Sequence, residues 1–292
     1  MPTPRAEHDV DVALVRALLV DQHPDLAGLP LEVVANGWDN VVARLGDDLA
    51  VRLPRRAAAA ALIEHEQRWL PGIADRVAPV VAVPAPVRIG RPALGYPWSW
   101  SVVPWFPGVA AGLRPGGARM AVTLADLVAR LHVPAPAEAP VNPVRAVPLA
   151  TRDDAVRTRL STEDVHRRGE LAALWRTAAA LPASAGPPVW VHGDLHPFNV
   201  LVEPSSDGDD PVTAVVDFGD VTAGDRAVDL ATAWLTLGHD ARRVFRTRVA
   251  ADDDTWVRAR GWVVSIASAL QLADEPAFRA VGRRAIDAVL DD

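Results

Sequence analysis

The sequence predicts an α+β chain in two parts, a mostly β first part and a mainly helical second part. Three observations lead there. Short apolar runs punctuated by turn residues crowd positions 31–53, a proline-bounded bend (PWFPG) stands at 104–108, and beyond it apolar residues recur with helical spacing. At 292 residues the chain exceeds the usual size of one compact domain. The boundaries expected are therefore 1–103, a hinge at 104–108, and 109–292.

The elements follow in order. Val12, Leu14, Val15, Leu18 and Leu19 recur at helical spacing after the possible caps Asp9 and Asp11. Leu31 to Ala35, Val41 to Leu45 and Leu49 to Leu53 read as three strands separated by the turns NGWDN and GDD. Ala57 to Leu70 is a run of strong helix formers, expected to stop at Pro71 and Gly72. A Pro-rich connector leads to a strand from Trp100 to Val103. The second part is expected to hold helices at Met120–His132, Asp153–Leu160, Arg167–Leu181, Arg226–Leu237, Trp256–Leu272 and Pro276–Leu290. Strands are expected at Val189–His192, Val200–Glu203 and Val212–Val216. The Pro-rich stretch 133–148 is expected to wrap the surface, and the acidic loop PSSDGDDP (204–211) to be a solvated turn.

Composition removes several classes of function. Lys plus Arg number 30 against 37 Asp plus Glu, a net charge of -7, the wrong sign for a nucleic-acid partner. There is no cysteine, which excludes disulfides, thiolate catalysis and Cys-ligated zinc. MPTPRAEHDV lacks the apolar core of a signal peptide, and no apolar run is long enough to span a bilayer. A cytoplasmic protein without a membrane partner is the expectation.

The chemistry concentrates in HGDLHPFNVLV, residues 192–202. His192, Asp194 and His196 occupy alternate positions, which on a continuous strand would make a metal-binding face. Pro197 argues that the strand has ended, and no further His-rich segment completes a zinc shell. In a purely structural turn, Asp194 would bond nearby N–H groups and His192 would be a core histidine.

The partner segment shifts the balance. Asn199 lies five positions after Asp194, and Asp217 follows in VVDFGD. Magnesium takes carboxylate and amide oxygens, keeps several waters and is completed by phosphates, so Asn199 and Asp217 suit it. Asp194 is then left to receive an acceptor hydroxyl. Protein-kinase catalytic loops have the same arithmetic: His, one residue, Asp, four residues, Asn, and later Asp-Phe-Gly.

At these residues the chain resembles the aminoglycoside phosphotransferase family of small-molecule kinases, including its macrolide phosphotransferase members, whose loops also read HGDxHxxN. Gly193 and His196 favour this family over protein kinases, where Arg usually follows the first His. The resemblance implies a bilobal protein-kinase-like fold, with an antiparallel β-sheet N-lobe and a mainly helical C-lobe. It implies Asp194 as the catalytic aspartate, Asn199 and Asp217 as Mg2+ ligands, and ATP or GTP as donor. His192 would support the loop, and Asp229 in GDRAVDLA would buttress it; a helix-dipole carboxylate is the competing reading of Asp229.

In the first part the resemblance makes NGWDN the nucleotide loop, with Gly37 admitting phosphates and Asn40 or nearby N–H groups donating to them. Arg52 in AVRLP stands where kinases carry lysine, with Arg55 or Arg56 as alternatives. Its acid partner lies on the following helix, where Glu64 and Glu66, two apart, cannot both face the cleft; the resemblance implies Glu66, a solvated helix carboxylate being the other reading. The Pro104 carbonyl and Phe106 N–H would read a purine edge.

The function implied is Mg-dependent transfer of a γ-phosphate to a hydroxyl of a small molecule, an aminoglycoside or macrolide antibiotic first. The alternatives are a kinase of the same fold for an amino alcohol or sugar, and a nucleotide-binding pseudokinase. Asp252, Asp253, Asp254 and Glu275 are the acids available to meet a polycation; ordinary helix caps are the other reading.

Overall fold

The structure is a computed structural model that describes residues 5–292. Residues 1–4, part of the stretch read above for a signal peptide, lie outside the described residues. By its contacts the chain divides into two units, one of 5–76 with 83–107 and one of 77–82 with 108–292.

In the first unit helix α1 (Val12–Gln22) begins where Asp11 accepts a hydrogen bond from the Leu14 N–H at 2.8 Å. Strands β1 (Leu31–Asn36), β2 (Asn40–Leu45) and β3 (Leu49–Pro54) precede helix α2 (Ala57–Val77), and β4 (Arg88–Gly90) and β5 (Trp100–Pro104) follow it. They form one sheet in the order β1-β2-β3-β5-β4, every neighbouring pair antiparallel. Ala43, Leu45, Val51, Leu53 and Val102 form one core with Val15, Leu18 and Leu19 of α1. Alternation along β3 then sends Arg52 to the opposite side from Val51 and Leu53.

Helix α2 does not stop before Pro71 but runs to Val77. Its buried residues Ala59, Ile63, Glu66, Leu70, Ile73 and Val77 recur every three or four positions. Continuing the stripe buries Ile73 and Val77, worth about 1.5–3 kcal/mol each, which offsets the ~3 kcal/mol cost of an interior proline. Strand β4 was not foreseen because two of its three residues are exposed, so it carries no alternation.

The second unit contains strand β6 (Val109–Ala110) and helix α3 (Ala118–Leu131), then a 3₁₀ turn (Leu149–Arg152) running into α4 (Asp153–Leu160) and α5 (Arg168–Ala179). Strands β7 (Val189–Val191), β8 (Val200–Val202), β9 (Val212–Val215) and β10 (Thr222–Gly224) follow, then helices α6 (Ala227–Leu230), α7 (Thr232–Leu235), α8 (His239–Arg248), α9 (Asp253–Gln271) and α10 (Pro276–Leu290). Strands pair as β10-β7 and β6-β8-β9. Helix α9 is the centre of packing: α10 approaches it so closely that a β-carbon on Gly282 would lie 2.7 Å from the Ala267 carbonyl.

Two helical expectations change. The segment expected as one helix over Arg226–Leu237 is two short ones, and every residue of both is buried. A run buried all round has no polar face, so periodicity gives no sign of the break. Helix α8 was missed because it buries only Ala241, Arg242 and Phe245 among ten residues. Among the described residues no helix is long and apolar enough to cross a membrane.

Candidate active site

The loop after β7 is held by one carboxylate. Asp229, fully buried on α6, accepts the His192 N–H at 2.8 Å on Oδ2 and the Gly193 N–H at 2.9 Å on Oδ1. His132 Nε2 lies 3.1 Å from the same Oδ2. Gly193 has a φ of 86°, and a β-carbon there would lie 2.6 Å from the Asp220 carbonyl oxygen, so the position demands glycine both for conformation and for space.

His192 is fixed by two bonds that define its tautomer. Its Nδ1 accepts from the Asp194 N–H at 3.2 Å, so the proton sits on Nε2, which donates to the Val216 carbonyl at 3.1 Å. The ring packs on Phe218 with centroids 4.4 Å apart. His196 Nδ1 accepts from the Phe198 N–H at 3.3 Å, and its Nε2 lies 3.4 Å from Asp194 Oδ2. Both rings are thus engaged within the protein, which removes the metal-face reading of alternating His192, Asp194 and His196. No cluster of three His, Cys, Asp or Glu suited to a metal occurs among the described residues.

Asp194 stands between Arg145 and His196. The Arg145 Nη2 donates to its Oδ1 at 2.8 Å, with His196 at Oδ2. Burial by itself would raise the Asp194 pKa, but Arg145 and then His196 outweigh it and hold the carboxyl well below the usual range. Conversely, burial would lower the His196 pKa, and Asp194 overrides it and raises it. Arg145 also contacts Asp220 through Nε at 3.4 Å. The Asp220 pKa is raised, chiefly by burial and against the pull of Arg145.

Arg145 is a residue the sequence reading missed. It lies in the Pro-rich stretch 133–148, which does more than wrap the surface. Asn142 Oδ1 accepts from the Val144 and Arg145 N–H groups at 2.8 and 3.0 Å, closing a turn that aims Arg145 inward. Asn142 Nδ2 donates to Asp220 at 2.8 Å and its backbone N–H to Thr222 Oγ1 at 2.8 Å, so the turn is tied to the strand leading into β10. The Asn-Pro pair at 142–143 signals a turn. Where the turn points depends on Asp220 and Thr222.

Asn199 and Asp217 lie side by side. Strands β8 and β9 pair Val200 with Val215, and the Val216 N–H donates to the Asn199 carbonyl at 2.9 Å, so the two residues share one end of the hairpin. Asn199 Nδ2 donates to the Asp194 carbonyl at 3.0 Å, which leaves its Oδ1 as the atom available to a cation. Asp217 adopts a φ of 63°, uncommon for a residue with a side chain and tolerated best by Asn and Asp. An amide and a carboxylate oxygen are hard donors of the kind magnesium takes.

In the first unit Arg52 Nη1 donates to Glu66 Oε1 at 2.8 Å and Oε2 at 2.7 Å, the two side chains 9% and 1% exposed. Glu64 faces outward and accepts from Ser99 Oγ at 3.2 Å. Arg55 donates to the Gly37 carbonyl at 2.7 Å and Arg56 pairs with Asp39. The Gly37 N–H donates to the Asn40 carbonyl at 2.9 Å, so that group closes the hairpin, while Asn40 Oδ1 is buried without a partner among the described residues. Pro104 ends β5 and Phe106 follows half-buried; the Arg44 guanidinium stacks over Trp105, 5.5 Å from its centroid.

A test of the pair follows. Glu66→Ala leaves a buried guanidinium without its carboxylate and is expected to lower unfolding free energy by about 3–5 kcal/mol. Glu64→Ala, at a solvated position, is expected to cost less than about 1 kcal/mol. Urea unfolding of both variants checks this, and equal losses would contradict the assignment.

Residues 30–262, well over half the chain, match the model of the phosphotransferase enzyme family. The chain belongs to that family. Comparison with curated proteins gave no significant match. Solved structures show how far the fold of this phosphotransferase extends. The GDP complex of wild-type aminoglycoside 2′-phosphotransferase-IIIa superposes with a TM-score of 0.71 at 19% identity, covering 97% of this chain and 99% of that one. A related GDP and kanamycin complex gives 0.70 at 20% identity, over 96% and 99% of the two chains. A macrolide 2′-phosphotransferase from Brachybacterium faecium gives 0.59 at 22% identity, over 96% and 97%. The phosphotransferase therefore has the kinase-like fold of these enzymes, and it is a small-molecule kinase.

Of the acids available to meet a polycation, one caps a helix in this phosphotransferase. Asp252 caps α9, accepting the Thr255 N–H at 2.6 Å, and Asp253 and Asp254 fill the first turn of that helix. Glu275 occupies the N-cap position of α10.

Proposed function

We propose that this phosphotransferase moves the γ-phosphate of ATP or GTP, with magnesium, to a hydroxyl of a small molecule held against Asp194. The single observation that carries the reading is the loop geometry. Asp229 clamps His192 and Gly193, Asn199 ties down the Asp194 carbonyl, and Asp217 stands beside Asn199 at the end of one hairpin.

Asp194 is an anion with a depressed pKa and so a weak base. Its part is to accept the hydrogen bond of the acceptor hydroxyl, orient the oxygen toward phosphorus and take the proton late. Asn199 Oδ1 and the Asp217 carboxylate would hold the cation, which when bound neutralises charge developing on the phosphate oxygens. Arg52, kept in place by Glu66, would bind donor phosphate. A cytoplasmic location accords with the donor.

The named acceptors of the similar structures, kanamycin and macrolides, make antibiotics the first class to screen. The deciding experiment is a coupled screen of ATP and GTP consumption with magnesium across aminoglycosides, macrolides, amino alcohols and sugars. Magnesium-dependent turnover with at least one alcohol is expected. Nucleotide binding without turnover on any alcohol would favour the pseudokinase reading instead. In parallel, Asp217→Ala is expected to abolish the magnesium-dependent part of nucleotide affinity in a calorimetric titration; unchanged affinity would sink the metal assignment.

A further inference from the structure

We propose that Arg145 is a positioning residue for phosphoryl transfer: anchored by the turn that carries it, it fixes the Asp194 carboxylate in the orientation that the acceptor hydroxyl requires. This rests on the phosphotransferase reading above and adds to it a residue outside the HGDLHPFN loop.

A carboxylate turns about its side-chain bonds unless both oxygens are held. From within the loop, His196 Nε2 approaches Oδ2 at 3.4 Å. The shorter contact, to Oδ1, comes from Arg145 Nη2 at 2.8 Å. A guanidinium is a planar fork that can engage two carboxylates at once. Here its Nε reaches Asp220 Oδ2 at 3.4 Å, and Asp220 Oδ1 in turn accepts from Asn142 Nδ2 at 2.8 Å. Arg145 thereby ties the loop that bears Asp194 to the segment just past Asp217, so the two parts of the site are held at a fixed separation.

The turn that carries Arg145 is pinned on both sides. Before it, the Pro140 carbonyl accepts from the Ala223 N–H at 2.9 Å and from the Thr222 hydroxyl at 2.8 Å. After it, the Ala146 carbonyl accepts from the Asp225 N–H at 3.0 Å. Ala146 is buried and has a φ of 57°, a left-handed backbone that a residue with a side chain adopts only at a cost. Such strain persists where the surroundings over-determine it, and it gathers at functional sites. The packing that enforces it is on β10: a β-carbon on Gly224 would lie 2.5 Å from both the Ala146 β-carbon and its carbonyl oxygen. Glycine alone lets β10 approach the turn this closely.

The pair keeps some exposure, 25% for the Arg145 side chain and 22% for that of Asp194, so it borders space a substrate can enter. Aim matters there, because misplacing a reacting group by about 1 Å can cost about 10²-fold in rate. The guanidinium also offsets the charge of the carboxylate, and a triphosphate meets less repulsion on approach. Arg145 exchanges no proton in the reaction, since a guanidinium stays charged.

Steady-state kinetics test the proposal, with magnesium, ATP or GTP, and whichever of kanamycin, erythromycin, ethanolamine and glucose the wild type phosphorylates. Arg145→Met is expected to lower kcat by about 10²-fold, with the nucleotide KM little changed. Arg145→Lys keeps the charge without the fork and is expected to recover part of the loss. Gly224→Ala is expected to lower kcat by displacing the turn, and to lower it no further when added to Arg145→Met, since two changes acting through one contact do not add.

Full kcat in Arg145→Met, beside turnover in wild type, overturns this inference and leaves the phosphotransferase reading standing. So does a loss that Arg145→Lys fails to relieve and that accompanies a lowered urea midpoint, the mark of a purely structural ion pair. Absence of turnover in wild type with every alcohol removes the phosphotransferase reading itself, and this inference with it.

Discussion

Asp194→Asn is expected to lower kcat by about 10²–10⁴-fold, the usual worth of a positioned acid–base group, while KM for the nucleotide changes little. The substitution keeps the side chain's size and its Oδ1, so the loop stays folded on Asp229. What it removes is the charge that faces Arg145 at 2.8 Å and His196 at 3.4 Å. The amide presents N–H groups where the hydroxyl needs an acceptor, and the oxygen loses its aim at phosphorus. Single-turnover phosphate transfer, measured beside nucleotide affinity, separates this from a folding defect. Wild-type kcat in the variant would transfer the orienting role to another group and remove the basis of the reaction proposed above.

Asp229→Ala is expected to produce the largest loss of stability. Two backbone N–H groups, on His192 and Gly193, lose their acceptor in a site with no exposure. Each buried donor left unmade costs about 1–3 kcal/mol, and His132 loses its partner as well. Asp229→Asn keeps one acceptor oxygen but turns an N–H toward a donor, so an intermediate loss is expected. The ordering wild type, Asn, Ala in urea unfolding checks the argument, and kcat falling in the same order would show that the clamp sets the aim of Asp194. An Ala variant as stable as wild type would mean that the loop holds itself.

Much of the site is legible in the chain because its order is local. HGDLHPFN sets Asp194 and Asn199 at a spacing that one turn can fold, and VVDFGD brings Asp217 to the end of the paired strand. Helix geometry allowed only one of Glu64 and Glu66 to face inward, the family resemblance chose Glu66, and the structure puts Glu66 on the buried stripe of α2. Helix α2 itself was cut short because a proline rule weighs one hydrogen bond and one clash, whereas the fold weighs the burial of Ile73 and Val77.

The chain alone determined its family of fold and the loop spacing that singles out Asp194, because periodicity and motif spacing are properties of neighbours along a backbone. Tertiary structure decided the charge around that aspartate. Arg145 comes from a proline-rich turn 49 positions away. Electrostatic fields depend on distances through space, and no spacing rule along a sequence carries those distances.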